Sequence, residues 1–413
     1  MKAVVLAAGR GERLWPLTEN KPKHLLPIAG RPVLERTLEA LSKNGVREVL
    51  LVVNFKAEKI QAKLGDGKRL GCRVQYVKQK RIGGTADALK ASREQLRRED
   101  SFLAIYGDDY YHEKAVARFL NKAAKGNGLM MGAAVVQDPS RFGSLTIKNG
   151  LVHSIMEKVA SKRPGRVNAG ICLLDGSVFP AIEKTRRSSR GELELTDSLK
   201  MLIRQGQKIQ AFPVQEGEWL GLSYPWDLLE ANRLALEGRR PAVAGKMEDG
   251  VHTRGPVIIA KGAVVKSGSY LEGPVLVGEG SVVGPSSYLR PYTSLGQNVK
   301  VGAGCEVKNS VIMDNAKIPH LSYVGDSIIG EDSSLGAGTI TANLRFDEAH
   351  VRSRIKGLAL DSGRKKLGAI LGDNVRTGIN VSIFPGVKIG AGAWIGPGTI
   401  VREDVLSGAR VRH

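Results

Sequence analysis

The sequence predicts an α/β chain of two domains: a Rossmann-like domain with a mixed, mostly parallel sheet and helices on both faces, then a left-handed parallel β-helix. Three observations carry this. An aliphatic residue returns at every sixth position from Ile259 through Val265, Leu271, Val277, Val283, Leu289, Leu295, Val301 and Val307. That period belongs neither to a helix (about 3.6) nor to a strand (about 2) but to stacked hexapeptide coils, each hexad forming one side of a triangle with its aliphatic residue inward. Ahead of it, short apolar runs alternate with amphipathic stretches, the pattern of a parallel sheet with crossover helices. Between the two, GRRPAVAGKMEDG has the composition of a linker. The domains are expected at 1–238 and 251–413, with 239–250 joining them.

In chain order, Lys2 to Ala8 reads as a short apolar strand. It opens into LAAGRGERLWPLTENKPKHLLP (Leu6 to Pro27), a glycine-containing turn with Arg13, Lys21 and Lys23 close by. Such a turn is a phosphate site in principle: Gly9 and Gly11 let backbone N–H groups approach phosphate oxygens, and Arg13 and Lys23 supply charge. It is neither a P-loop nor a dinucleotide fingerprint. Val33 to Asn44 and Lys56 to Leu64 read as helices, Val49 to Val53 and Val74 to Val77 as strands. Residues 79–91 set a second glycine turn at the head of a helix. Phe102 to Tyr106 is an apolar strand ending in Gly107-Asp108-Asp109. A carboxylate at the carboxyl end of a parallel strand stands where open α/β sheets hold ligands, though a Gly-Asp turn has the same appearance. Met130 to Val214 is rich in short strands, and Leu228 to Glu237 is the last helix of this half.

The hexad register lapses after Val307 and returns at Leu371, Thr377, Ile383, Ile389, Ile395 and Val401. The lapse contains KIPHLSYVGDS (Lys317 to Ser327) and a long charged excursion that ends at Lys366.

Composition narrows the function. The 413 residues carry 62 Lys and Arg against 41 Asp and Glu, a net +21, yet aromatics are only 5% and the basic residues are dispersed. This argues against the stacking platforms of RNA and single-strand readers and favours small phosphorylated substrates. No apolar run reaches a membrane-spanning length. Cys72, Cys172 and Cys305 are odd in number and far apart, which fits a reducing compartment. With MKAVVLAAG running straight into a strand, the protein is expected in the cytoplasm.

Taken together, the separated motifs of the first half resemble the sugar-1-phosphate nucleotidylyltransferase family. The second half resembles the acetyltransferase domain of the bifunctional N-acetylglucosamine-1-phosphate uridylyltransferase/glucosamine-1-phosphate acetyltransferases, archaeal type. The resemblance implies that Leu6, Ala8, Gly9, Gly11 and Arg13 wrap a nucleoside triphosphate (UTP or dTTP). Lys23 would lie between its α-phosphate and the sugar phosphate. Gln79, Gly84 and Thr85 would meet the base, Asp108 would hold Mg²⁺, and Gly143, Glu157, Lys158 and Asn168 would take the sugar-1-phosphate. In the β-helix it implies Arg290, Lys308, Tyr323 and Asn343 as amino-sugar-phosphate ligands, His320 as general base, and backbone N–H groups around Ala337 (Leu335 to Gly338) as oxyanion donors. Histidine suits that task because an amine near neutral pH must lose a proton before attacking the thioester of acetyl-CoA. A homotrimer through the β-helix is the assembly implied, with neither nucleic acid nor membrane as a partner.

Two departures from the family pattern matter. An Asp that commonly completes the Mg²⁺ site is replaced by Gly221 in Trp219-Leu220-Gly221. Either Asp108 holds the ion with substrate phosphates and water, or Asp109, Glu218 or Asp227 substitutes, or the activity is weakened. A lysine of the bacterial form, six residues after Asn343, is Ala349 here. Either Arg352, Lys356 or Lys365 supplies that charge, or the excursion is a solvated insertion. The other histidines show no metal-ligand spacing. The competing reading makes the β-helix only an oligomerisation or regulatory module on a nucleotidylyltransferase.

Overall fold

The structure, a computed structural model, describes every residue except 127, 158–162 and 413. It divides into two compact units, Met1–Arg10 with Val33–Leu222 and Gly11–Pro32 with Ser223–His413. In this division the residue 11–32 loop and the helix Asp227–Leu236 belong with the β-helix.

The first unit is built on a nine-stranded sheet in the order Arg73–Lys78, Glu48–Val53, Ala3–Ala7, Phe102–Tyr106, Gly165–Leu174, Leu129–Val136, Ile209–Pro213, Leu151–Glu157 and Gly143–Lys148. The first four are mutually parallel. Gly165–Leu174 runs antiparallel to both its neighbours and is ten residues long, so the region read as rich in short strands also contributes the sheet's longest. AVVLA (Ala3–Ala7) is buried throughout, as a strand covered on both faces must be. It lies between Glu48–Val53 and Phe102–Tyr106, so the strand order reverses there. The carboxyl ends of strands at such a reversal form the usual ligand crevice of an open α/β sheet. Gly107 N–H donates to the Leu6 carbonyl at 2.9 Å, which brings Asp108 beside the start of the glycine loop. Among the described residues no helix is long and apolar enough to cross a membrane.

In the second unit the hexads form three parallel ladders, as in a left-handed β-helix. Coiling starts within the expected linker: Ala242–Val243 already pairs with Val257–Ile259. The nine aliphatic residues from Ile259 to Val307 are all at most 1% exposed, and each contributes roughly 1.5–3 kcal/mol by burial. Gly278 shows why small residues follow them, since a Cβ there would lie 2.0 Å from the Gly296 carbonyl oxygen of the next coil.

The lapse after Val307 proves to be a shortened coil, not an interruption. Leu276 pairs with Ser294, 18 residues on, whereas Ser294 pairs with Val311, 17 residues on. Ile312, Ile318, Val324, Ile329 and Leu335 continue the buried column. The missing residues are lost at one corner, where Asn309 and Asp326 adopt left-handed φ of 43° and 48°. Only the charged excursion leaves the coil. It departs after Asn343, forms an antiparallel hairpin of Arg352–Ile355 with Leu358–Asp361, and returns where Leu367 N–H donates to the Asn343 carbonyl and Gly368 N–H to that of Asp326.

Candidate functional site

Leu6 and Ala8 are buried at the end of the first strand, and the glycine loop follows from Gly9. Gly11 has φ 69°, and a Cβ there would lie 3.0 Å from Lys23 Cβ, so glycine is needed for both conformation and close approach. Thr18 Oγ1 donates to the Gly11 carbonyl at 3.0 Å and fixes the turn. The Arg13 guanidinium lies 5.6 Å from the centre of the Tyr224 ring. Lys23 opens a short 3-10 turn, Lys23–Leu25, and is half-buried. Its neighbour His24 is fully enclosed, and burial first, the Lys23 charge second, push its imidazole well below the usual histidine range. The loop therefore carries one cation at this point, not two.

Gln79 is buried and its amide donates to the Asp87 carboxylate at 2.6 Å and to the Gly84 carbonyl at 3.3 Å. Thr85 Oγ1 accepts from Leu195 N–H at 2.9 Å. Both side chains therefore hold the second glycine turn in shape, with Gly84 at φ 102° against the Leu193 backbone. Gly143 pairs with Glu157 across adjacent strands, and a Cβ at Gly143 would lie 3.1 Å from Glu157 Oε2. Glu157 accepts from Thr196 Oγ1 at 2.9 Å and lies 3.3 Å from Arg190. Arg190 also pairs with Glu194, whose carboxyl is raised by burial despite that pairing. Asn168 Oδ1 accepts from Gly170 N–H at 2.9 Å, making a tight turn within the strand. Lys158 lies outside the described residues.

The three carboxylates considered as substitutes for the missing Asp are engaged elsewhere. Asp109 is buried and accepts from the Trp219 indole at 3.1 Å. Glu218 pairs with Arg118 and accepts from Gln215 N–H. Asp227 accepts from the N–H groups of Ser223 and Tyr224 at 2.7 and 2.8 Å. Gly221 itself has no room for a side chain, since a Cβ would lie 2.4 Å from the Phe142 ring, which packs edge-on against Trp219. Among the described residues no cluster of three His, Cys, Asp or Glu could hold a metal. The residue set thus fits an ion bound through Asp108 together with phosphate oxygens and water, an arrangement Mg²⁺ tolerates.

In the β-helix, the shortened corner gathers three of the sequence-selected residues around one that was overlooked. Asp326, 2% exposed, accepts from Lys308 Nζ at 3.0 Å, from Asn309 Nδ2 at 2.7 Å and from Asn343 Nδ2 at 2.6 Å. Asn343 also donates to the Tyr323 hydroxyl at 3.1 Å, and burial raises that phenol while Asn343 partly offsets the rise. Gly325 leaves the space in which this pair meets: a Cβ there would lie 2.4 Å from Tyr323 Oη. The sequence signal for Asp326 was available, because Val324 to Ile329 is the second step of five residues in a column of sixes. Arg290 pairs instead with Glu306 at 2.9 Å, which raises the guanidinium further. His320 is exposed at the corner before Tyr323–Gly325, and its carbonyl accepts from Ser322 Oγ at 2.7 Å. Of the nearby N–H groups, Leu335 donates to Lys317, Gly336 to Thr377 and Gly338 to His320. That of Ala337 makes no hydrogen bond among the described residues. In the excursion, Arg352 donates to the Ala359 carbonyl and Lys356 pairs with Glu12.

The chain matches the nucleotidyl transferase family over residues 2–238, the GMPPB C-terminal domain over 271–383 and the hexapeptide repeat of succinyl-transferase over 368–403. It is 42% identical over 409 residues to the bifunctional protein GlmU of Methanocaldococcus jannaschii, covering 98% of this chain and 96% of that one. It is 43% identical to a bifunctional sugar-1-phosphate nucleotidylyltransferase/acetyltransferase of Sulfurisphaera tokodaii, covering 98% of each. A crystal structure of a putative glucose-1-phosphate thymidylyltransferase from Bacillus anthracis superposes with a TM-score of 0.52 at 27% identity, covering 59% of this chain and 98% of that one. With a sheet unit matching one family over its length, hexapeptide coils beyond it and full-length relatives spanning both, the chain belongs to the nucleotidyl transferase family and, within it, to the archaeal bifunctional sugar-1-phosphate nucleotidylyltransferase/acetyltransferases.

Proposed function

We propose that the chain makes UDP-N-acetylhexosamine, or the corresponding dTDP-sugar, by two successive transfers. The β-helix moves acetyl from acetyl-CoA to the amine of glucosamine-1-phosphate or galactosamine-1-phosphate. The sheet unit, with the loop that follows its first strand, joins N-acetylglucosamine-1-phosphate or glucose-1-phosphate to a uridylyl or thymidylyl group and releases pyrophosphate. The observation that carries the reading is the cluster of Lys308, Tyr323 and Asn343 around Asp326. A purely structural coil has no need of a buried ion pair and amide network at one corner.

In nucleotidyl transfer the sugar phosphate oxygen attacks the α-phosphorus and no protein nucleophile is required. Arg13 offsets charge on the leaving pyrophosphate, Lys23 lies between the α-phosphate and the sugar phosphate, Gly143, Glu157 and Asn168 orient the sugar, and Asp108 would hold Mg²⁺. The bound ion supplies neutralisation of phosphate charge. In acetyl transfer His320 accepts the proton of the attacking amine, the Ala337 N–H donates to the developing oxyanion, and Lys308, Arg290, Tyr323 and Asn343 hold the phosphorylated sugar. We further propose a cytoplasmic homotrimer. The three free cysteines support a reducing compartment, and the exposed Ile340, Phe384 and Ile400 on one face of the coil support assembly.

Thiol release from acetyl-CoA with glucosamine-1-phosphate as acceptor tests the reading. Replacing His320 by Ala is expected to lower it about 10²- to 10⁴-fold and to leave pyrophosphate release intact. An unaltered protein that releases no thiol would reduce the β-helix to an oligomerisation or regulatory module.

A further inference from the structure

The loop Gly11–Pro32 carries Arg13 and Lys23, and it is anchored at several positions on the β-helix. Lys21 is almost fully enclosed, and its ammonium lies 3.0 Å from Asp373 Oδ1 and 2.6 Å from Glu331 Oε1. The same Asp373 oxygen accepts from Glu331 N–H at 2.9 Å, which ties two successive coils to one lysine. Glu19 accepts from Ala391 N–H at 3.0 Å and from the Ser407 hydroxyl. Lys388 lies 4.8 Å from the centre of the Trp15 ring, and Glu12 pairs with Lys356. A Cβ on Gly372 would lie 3.2 Å from Pro16, so the coil leaves room for the loop at that point. Positions 12, 15, 16, 19 and 21 are all held in this way, and they bracket Arg13 and end two residues before Lys23.

We infer that Lys21, with Asp373 and Glu331, is a positioning group for nucleotidyl transfer: the β-helix acts as the bed that sets Arg13 and Lys23. A buried ammonium shared by two carboxylates has a defined direction that an apolar contact lacks, and a small misplacement of groups that offset phosphate charge is costly in rate. The inference rests on the proposed roles of Arg13 and Lys23. It adds to them that coils of the β-helix hold the loop that carries both residues.

The test uses the full-length protein and steady-state kinetics of both transfers. Lys21→Met is expected to lower kcat for pyrophosphate release about 10- to 100-fold, with the KM for the sugar phosphate changed less than twofold and thiol release unchanged. Lys21→Arg should retain most of the rate. The exchanged pair, Lys21→Asp with Asp373→Lys, should recover more of it than either single change does. Unchanged nucleotidyl kcat in Lys21→Met, or equal loss of both activities, would overturn the inference. Lys23→Ala, measured in parallel, separates the premise: if it leaves pyrophosphate release intact, the assigned role of Lys23 fails, whatever Lys21→Met does.

Discussion

The coils before and after Val307 share one core and differ at one corner. Up to Val307 each rung stands 18 residues from the next, and from there to Ile340 17, yet the inward residues of both stretches are buried to the same degree. The apolar column tolerates the change because the lost residue comes from a corner, where Asn309 and Asp326 take a left-handed turn. What changes is the outer surface of that corner, where Lys308, Asn309, Asp326 and Asn343 now interlock. Inward positions of the hexad therefore carry stability, and corner positions are left to carry chemistry.

Substitutions on the two sides of that division should separate. Leu295→Ala empties a fully buried position of the regular column and is expected to cost about 2–5 kcal/mol in denaturant unfolding. Both activities should then disappear together once temperature passes the lowered midpoint. Asp326→Ala leaves the Lys308 ammonium and two amide donors without their acceptor, at a cost of about 1–3 kcal/mol. Below the unfolding transition it should lose thiol release and keep pyrophosphate release. Loss of both activities in folded Asp326→Ala would erase the distinction between core and corner.

The sheet unit offers the opposite case, a place where a functional side chain has been filled in by packing. The ring of Phe142 lies where a Cβ on residue 221 would project. Gly221→Asp alone should destabilise by about 1–3 kcal/mol through that overlap. Combined with Phe142→Ala, the loss should fall short of the sum of the two single changes by more than about 0.5 kcal/mol. The pair should also reach half-maximal pyrophosphate release at a lower Mg²⁺ concentration. Strict additivity with an unchanged Mg²⁺ requirement would mean that Phe142 does not stand in for a second carboxylate.

The β-helix was legible because burial in it depends on one residue in six, a local rule that survives without knowledge of neighbours. The sheet was legible only as a mixed, mostly parallel one covered by helices and its strand order was not, since the antiparallel return of Gly165–Leu174 between Phe102–Tyr106 and Leu129–Val136 leaves no mark in periodicity. Single site residues such as His320 and Asn343 stood out by resemblance, whereas Asp326, which joins Lys308 to Asn343, did not. Asp326 shares a carboxylate with residues 17 positions away on either side, and Phe142 meets Gly221 across 79. Long-range pairing of this kind is decided by the fold, not by spacing. The anchoring of the loop 11–32 on Glu331 and Asp373 was hidden for the same reason.

The smallest effect concerns that loop. His24 is enclosed with its Nδ1 making no hydrogen bond among the described residues, and burial beside Lys23 holds its imidazole well below the usual histidine range. Its folded form thus stays neutral where the unfolded chain takes up a proton. Above about pH 7 both states are neutral and His24 has no effect on the pH dependence. As pH falls through the unfolded value the unfolded state binds more protons, so stability declines until the folded value is reached. For one such group the loss between pH 7 and pH 6 is about 0.7 kcal/mol. Chemical denaturation at the two pH values should show it, and His24→Leu should remove that share of the slope. Because the Nδ1 is already unsatisfied, Leu should cost little at pH 7, when replacing a partnered histidine would cost more. An unaltered slope in His24→Leu would place the acid sensitivity elsewhere and leave the loop with no reason to keep this position uncharged.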